Sequence, residues 1–387
     1  LTLTLPIPRI FTQPPTPGGT QIWGDGDPSN GYPPGYPNDI IVAGNTIVLN
    51  SQVTTTTRQS VIDFDGGDKL AATKPVAVTR VVWATGSSTY MAVANEVYDT
   101  ANFGYEFRAP IGENITGNGN LFEYSSFLIM AGESGATVQI DADNNGVFET
   151  TVTLGEGESY FVNGGVKVGG HIVSDGAIQV EMITGNLSSN YESRSFRLFP
   201  VDDWHSSYTT PVATRTANGT TVWLYNPGGA ALTVSQITRS GNTLVTNAVS
   251  VAAGGYARVL LLEGNGSRFV TLGGEPFYAV AAVDSSSAVG SNQSFDWGFT
   301  LIPDKSLTPQ ALVGLGLGRD PTSTVNPDEN SSPIWVTPVG NGNTPATIYV
   351  DFDGDPTTGA LIDPYGNGYD VAYTARELEI LKIYNDG

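Results

Sequence analysis

Two acidic turns carry the side chains with the clearest chemistry. Asp141-x-Asp143-x-Asn145-Gly146 sets hard oxygen ligands at alternate positions and a glycine at the turn, with Glu149 three residues on. Asp351, Asp353 and Asp355 make a second such turn, with Asp363, Asn367 and Asp370 nearby. This spacing matches the front half of a calcium-binding loop, since calcium takes six to eight oxygens from carboxylates, carbonyls and water. Position twelve of the first loop is Val152, so the bidentate glutamate of an EF-hand is missing. The candidate calcium ligands are therefore Asp141, Asp143, Asn145 and Glu149 in one turn and Asp351, Asp353 and Asp355 in the other. Asp and Asn are also good turn formers in their own right, and both readings stand. Asp25, Asp27, Asp63, Asp65 and Asp68 form lesser clusters, whereas Thr238-Arg-Ser-Gly241 occupies the corresponding turn in the middle of the chain and offers no ligand set.

Signatures of catalysis are missing. The chain has no His-Glu-x-x-His, no Gly-x-Ser-x-Gly and no phosphate-binding Gly-x-x-x-x-Gly-Lys. It has two histidines, His171 and His205. Asp203, His205, Ser206 and Ser207 are of triad type, but neighbours in sequence rarely face one another. No catalytic residue is assigned, and the expectation is a protein that is not an enzyme. Of six tryptophans, Trp83, Trp223 and Trp335 sit in apolar strands and are expected in cores. The exposed aromatic candidates lie in Gly31-Tyr-Pro-Pro-Gly-Tyr-Pro37.

The elements that must hold these turns are strands. Forty-seven glycines and 24 prolines accompany only 14% charged residues, a mixture suited to short strands and tight turns. A net charge of −21 repels phosphate backbones and anionic lipid, so neither nucleic acid nor membrane insertion is expected. No apolar run reaches spanning length. Cysteine is absent, which excludes disulfides and thiolate metal sites.

Phe127–Val162 is the clearest local pattern: an apolar strand, a Gly-Glu-Ser-Gly turn, and a hairpin in which Val138 and Ile140 on one arm and Phe148, Val152 and Leu154 on the other alternate with polar residues. Asn145-Gly146 predicts a type I′ turn at its tip. A strand, Gly turn and strand recur at Ile40–Asn50, Val152–Val162 and Val249–Val259. Turn-plus-strand pieces recur at Thr73–Trp83, Ser174–Ile183 and Gly274–Val283. Opening strands recur at Phe127–Gly132, Val222–Gly228 and Ile334–Gly340. The fold class expected is all-β: tandem antiparallel β-sandwich-like units of about 90–110 residues, with half units at both ends.

The implied division is an extended N-terminal arm and Pro-rich linker (1–30), an incomplete unit (31–110), two units (111–200 and 201–303), and a second incomplete unit (304–387). The last is expected to end in a short helix over Thr374–Tyr384, started by a Thr374/Glu377 capping box. In the arm, Leu1, Leu3 and Leu5 alternate with threonine and cannot bury their apolar face alone. They are candidates for self-association by strand addition.

Ile22-Trp-Gly-Asp-Gly-Asp-Pro28, Arg58–Lys69, Ala72–Val78, Glu96-Val-Tyr-Asp-Thr, Gly298–Pro303 and Asp320-Pro-Thr-Ser-Thr together resemble one family. It is the N-terminal region similar to the IgG-Fc-binding protein, found in large bacterial surface proteins. The resemblance implies an exported multi-strand module with no catalytic residues to carry over. The antibody-binding label belongs to distant, cysteine-rich animal relatives, and a cysteine-free chain gives no reason to inherit it.

The sequence thus points to a non-catalytic structural or adhesive protein of a microbial cell surface or extracellular filament, stabilised by calcium. Its partners would be copies of itself, head to tail, or other surface proteins. The alternative is an extracellular carbohydrate-binding module.

Overall fold

The structure, a computed structural model, describes residues 75–82, 93–116, 121–187, 193–214, 219–283, 297–313, 333–355, 357–359 and 361–383. Leu1, Leu3, Leu5, the Pro-rich linker and the acidic clusters before residue 70 lie outside these. The described chain is nearly all β. Its helical pieces are the single 3-10 turns Thr100–Asn102, Val201–Asp203 and Asp304–Ser306.

A first hairpin, β1 (Thr79–Val82) and β2 (Val93–Glu96), precedes a seven-stranded antiparallel sheet. That sheet comprises β3 (Gly104–Arg108), β4 (Tyr124–Ala131), β5 (Ala136–Asp141), β6 (Thr150–Leu154), β7 (Ser159–Val162), β8 (His171–Gly185) and β9 (Ser193–Arg197). The expected β5–β6 hairpin forms, with Val138 opposite Val152. The 15-residue β8 is the spine. Its first half pairs with β3 and β5, and its second half with β4 and β9.

The next strands are β10 (Ser207–Thr210), β11 (Thr220–Tyr225), β12 (Leu232–Ser240), β13 (Thr243–Val251), β14 (Tyr256–Leu260), β15 (Ser267–Val270), β16 (Tyr278–Val283), β17 (Trp297–Thr300) and β18 (Ile302–Pro303). They form sheets of order β13-β12-β15-β10-β18 and β14-β11-β16-β17. Their pairing repeats that of β3–β9, with two changes: β18 adds to the free side of β10, and the spine is broken in two. β15 takes the partners of the first half of β8, and β16 those of the second half. The break falls in residues 271–277, where Pro276 cannot donate to a ladder.

The four-stranded sheet is buried on both faces. Val222, Leu224, Ala279 and Ala281 point into a core shared with Tyr208, Val234, Val251 and Phe269 of the five-stranded sheet. Trp223, Tyr225, Tyr278, Val280 and Ala282 point the other way, into a core shared with Phe107, Phe127, Ile140 and Met182 of the seven-stranded sheet. All six residues of β16 are buried, which explains why Tyr278–Val283 reads as an unbroken apolar run rather than an alternation. At roughly 1.5–3 kcal/mol per large side chain buried, the β11 and β16 residues in these two cores contribute to both.

The C-terminal part comprises β19 (Ile334–Val336), β20 (Ala346–Val350), β21 (Leu361–Ile362), β22 (Gly368–Tyr369), β23 (Val371–Ala375) and β24 (Leu381–Ile383). They form the two-stranded ladders β19–β24, β20–β23 and β21–β22. The expected helix over Thr374–Tyr384 is overturned, because its described residues run strand, turn, strand. Thr374 pairs with Thr347, and Leu378 has φ 61, outside the helical region. The turn matches two others in detail. Leu378 stands where Gly157 (φ 74) and Gly254 (φ 59) stand. The N–H groups of Glu379, Glu158 and Gly255 donate to the carbonyls of Arg376, Gly155 and Ala252 at 3.0, 3.1 and 3.1 Å. Burial decides the matter: Leu378 is fully buried, and that burial outweighs the roughly 1–2 kcal/mol cost of a left-handed backbone at a residue with a Cβ.

Candidate metal-binding turns

The two acidic turns occupy the same place in the repeated pattern, the β5–β6 and β20–β23 connections. In the first, Asp141 ends β5 and is buried. Its Oδ1 accepts from the Asn145 N–H at 3.0 Å and its Oδ2 from the Gly146 N–H at 2.9 Å. Positive φ falls at Asn144 (57°) and Gly146 (88°). The connection is therefore an eight-residue loop, residues 142–149, folded around the Asp141 carboxylate, and not the two-residue type I′ turn expected from Asn145-Gly146. The pull of two N–H groups on one buried carboxylate sets this geometry.

Carboxylate oxygens of Asp141, Asp143 and Glu149 all lie within 4.8 Å of one another. Asn145 is turned to other work: its Nδ2 donates to Glu149 Oε1 at 2.9 Å, and its Oδ1 accepts from the Val147 N–H at 2.8 Å. Lys167 Nζ lies 3.2 Å from Asp143 Oδ2, so an ammonium already neutralises part of the cluster. Asp143 Oδ1 is buried without a hydrogen-bond partner among the described residues. His171 stands opposite Asp141 across the ladder. Its Nε2 is 2.9 Å from Glu106 Oε1 and its Nδ1 3.4 Å from an Arg108 nitrogen. Burial, and then the Arg108 charge, hold the imidazole below its ordinary value despite Glu106 and Asp141.

In the second turn the structure gathers Asp351, Asp353 and Asp370, again within 4.8 Å. Asp355 is not among them; its Oδ1 accepts from the Thr357 N–H at 2.9 Å. Asp370 takes its place because it precedes β23 as Asp351 follows β20, and Val350 pairs with Val371. The hairpin register alone would have selected it. Asp351 is pushed up, first by desolvation and then by the Asp353 and Asp370 charges. Asp353 is held down by the Asp355 N–H and the Thr358 hydroxyl. Among the described residues no Lys or Arg pairs with these three carboxylates. Three converging carboxylates without an ammonium suit a divalent cation better than the first turn does, with the remaining ligands drawn from carbonyls and water.

The triad-type residues do not assemble. Asp203 pairs with Lys305 at 3.3 Å. Asp304 accepts from the Ser207 and Thr209 hydroxyls and from Arg268. His205 Nδ1 has no partner among the described residues. Trp223 is fully buried, as its strand pattern predicts, and Trp335 is half-buried with Lys382 Nζ 5.1 Å from its ring centroid. No helix among the described residues is long and apolar enough to cross a membrane.

Strands dominate the described residues, with acidic loops at two of their turns, and the class this defines is a β-rich module. Over residues 90–375 the chain matches the family described as IgGFc binding protein, and it belongs to that family. No curated protein matches it significantly. Among solved structures it shows remote similarity to a GH2 β-galacturonidase from Eisenbergiella tayi bound to glycerol, at 10% identity and TM-score 0.15 over 64% of this chain and 45% of that one. The same enzyme bound to galacturonate gives 9% identity and TM-score 0.14 over 63% and 44%. The chain spans less than half of either structure, and likenesses this low carry no argument.

Proposed function

We propose that this chain is a non-catalytic, extracellular or cell-surface structural module that binds other proteins, including copies of itself. The observation that carries this reading is the family match across residues 90–375 on an almost wholly β chain. Its finer form has tandem sandwich-like units of about 90–110 residues, joined at the 3-10 turns and assembling by strand addition through Leu1, Leu3 and Leu5. Calcium would stiffen the turns at Asp351, Asp353 and Asp370 and, less readily, at Asp141, Asp143 and Glu149. The acidic surface, −21 overall, supports a cation requirement, because like charges oppose close approach of two copies.

Electron microscopy and sedimentation of the whole chain, with and without calcium and with and without residues 1–5, test it. Calcium-dependent oligomers that need the arm are expected. A monomer under all four conditions would sink the assembly reading. The family description favours a second reading, in which the partner is an immunoglobulin Fc region. Saturable binding of purified Fc to the immobilised chain would support it.

A further inference from the structure

Five Asn-Gly pairs lie among the described residues: Asn145-Gly146, Asn163-Gly164, Asn265-Gly266, Asn341-Gly342 and Asn367-Gly368. Asn-Gly is the dipeptide whose side-chain amide is most open to attack by the backbone, because no Cβ shields the glycine nitrogen. Attack needs that nitrogen free to lose its proton and to reach the asparagine Cγ. The Gly146 N–H is held by Asp141 Oδ2 at 2.9 Å, the Gly266 N–H by the Leu378 carbonyl at 2.9 Å and the Gly342 N–H by Glu377 Oε2 at 2.8 Å. Asn367-Gly368 runs into the β21–β22 ladder, where Gly368 is buried opposite Ile362 and Asn367 Nδ2 lies 3.3 Å from Asp363 Oδ2.

Asn163-Gly164, in the turn between β7 and β8, differs in each respect. Asn163 is exposed. Glu113 Oε1 takes the next N–H along, that of Gly165, at 2.7 Å, and among the described residues no acceptor takes the Gly164 N–H. Gly164 has φ 75, and a Cβ there would stand 3.3 Å from the Tyr124 ring, so the turn calls for glycine. Tyr124 Oη donates to Asn163 Oδ1 at 2.8 Å. That oxygen is where negative charge gathers when Cγ becomes tetrahedral, so the hydroxyl stands where an oxyanion donor is needed. Desolvation holds this hydroxyl above its ordinary value, and it stays a donor at the mildly alkaline pH that favours loss of a backbone proton.

We propose that Asn163-Gly164 is a site of spontaneous backbone modification, promoted by Tyr124. The Gly164 nitrogen gives its proton to solvent and attacks Asn163 Cγ. The new N–Cγ bond closes a five-membered succinimide, the Cγ–Nδ2 bond breaks, and ammonia leaves with a proton from solvent. Water then opens the ring. Cleavage at Cγ leaves an aspartyl residue at position 163, and cleavage at the backbone carbonyl leaves an isoaspartyl link; either way the chain gains water and loses ammonia. The isoaspartyl product adds one methylene to a backbone fastened just beyond it, where Glu113 holds Gly165 and the Val166 N–H donates to the Ser125 carbonyl at 3.2 Å. Either product adds a negative charge near Glu113. The inference requires nothing of the proposed function.

Peptide mapping by mass spectrometry tests it. The full-length chain is held in mildly alkaline buffer and digested at intervals, beside a sample unfolded in urea. Unfolded, the five pairs should deamidate at similar rates, since each presents the same two residues. Folded, Asn163 should outrun Asn145, Asn265, Asn341 and Asn367, and an isoaspartyl-specific methyltransferase should label the peptide that contains it. Tyr124→Phe should slow Asn163 by about two- to tenfold, the weight of one hydrogen bond expressed as a rate, and leave the other four unchanged. A variant that merely loosened the fold would speed those four instead, and the comparison among the five sites in the unsubstituted chain stands without it. A folded rate at Asn163 no higher than at the other four would overturn the proposal. An unchanged Asn163 rate in a folded Tyr124→Phe chain would overturn the part given to the hydroxyl.

Discussion

Arg239 donates its Nε–H to the backbone carbonyl of Glu377 at 2.6 Å, from a side chain that is almost completely buried. Its other nitrogens reach Asn343 Oδ1 at 3.0 Å and the Gly342 carbonyl at 2.9 Å. Glu377 answers by accepting from the Gly342 N–H at 2.8 Å. One guanidinium on β12 therefore ties together the two loops that carry β19–β24 and β20–β23. Arg239→Met should leave these carbonyls buried and unpaired, at a cost of about 2–4 kcal/mol. Proteolysis should then cut first within residues 333–383. Lysine should not rescue, because one ammonium cannot span three divergent acceptors.

The Gly254/Leu378 equivalence gives a paired expectation. A Cβ added at Gly254 meets nothing within 4 Å, so Gly254→Ala should cost only the backbone strain, about 1–2 kcal/mol. Leu378→Ala keeps its strain and loses its burial, and should cost about 2–5 kcal/mol. Denaturant midpoints for the two variants, with unchanged slopes, check the order; a larger loss at Gly254 would refute the account.

The same equivalence shows what was legible in the residues. Strand after strand follows from alternation, and both arms of the β5–β6 hairpin were legible; their register was not, since a two-residue turn at Asn145-Gly146 would set Val138 opposite Thr153, whereas the longer loop sets it opposite Val152. Thr374–Tyr384 misled because the glycine that marks the turn at 157 and 254 is a leucine at 378. With a good cap and an apolar stripe, local propensity then favours a helix. What overrides it is tertiary: β20 needs a partner for Ala346–Val350, and the buried site around Leu378 repays its strain. At the candidate site Asp351 and Asp353 were visible from spacing, but Asp370 enters through hairpin register, a long-range relation. Asn145 has the right type and the wrong duties, since both ends of its amide are spent within the loop.

His171 should make stability depend on acidity. Its folded value lies below the ordinary 6.5, through burial and then Arg108, with Glu106 and Asp141 opposing. The unfolded chain therefore binds the proton more readily. The stability associated with neutral His171 is complete above pH 6.5 and is lost as pH falls below that value toward the lowered one. The melting temperature should drop across that window. His171→Gln should flatten that part of the profile, leaving only the carboxylate-driven loss at more acidic pH; an unchanged slope would show that the imidazole is not the sensor.

Calcium discriminates between the two acidic turns. If Asp351, Asp353 and Asp370 hold the ion, calcium at about a hundredfold excess over Kd adds about 2.7 kcal/mol, visible as a rise in melting temperature that a chelator reverses. Asp370→Asn should remove that rise, because it deletes a cluster oxygen and the like charge that raises Asp351. Asp355→Asn should leave it intact, because that carboxylate is occupied by Thr357. The first turn should respond oppositely to loss of a cation. Lys167→Gln removes the ammonium 3.2 Å from Asp143, so Asp141, Asp143 and Glu149 face one another unneutralised. Calcium affinity there should increase, with titration calorimetry resolving a second site tighter than in the unsubstituted chain. Equal sensitivity to Asp355→Asn and Asp370→Asn would show that the hairpin register does not select the ligands.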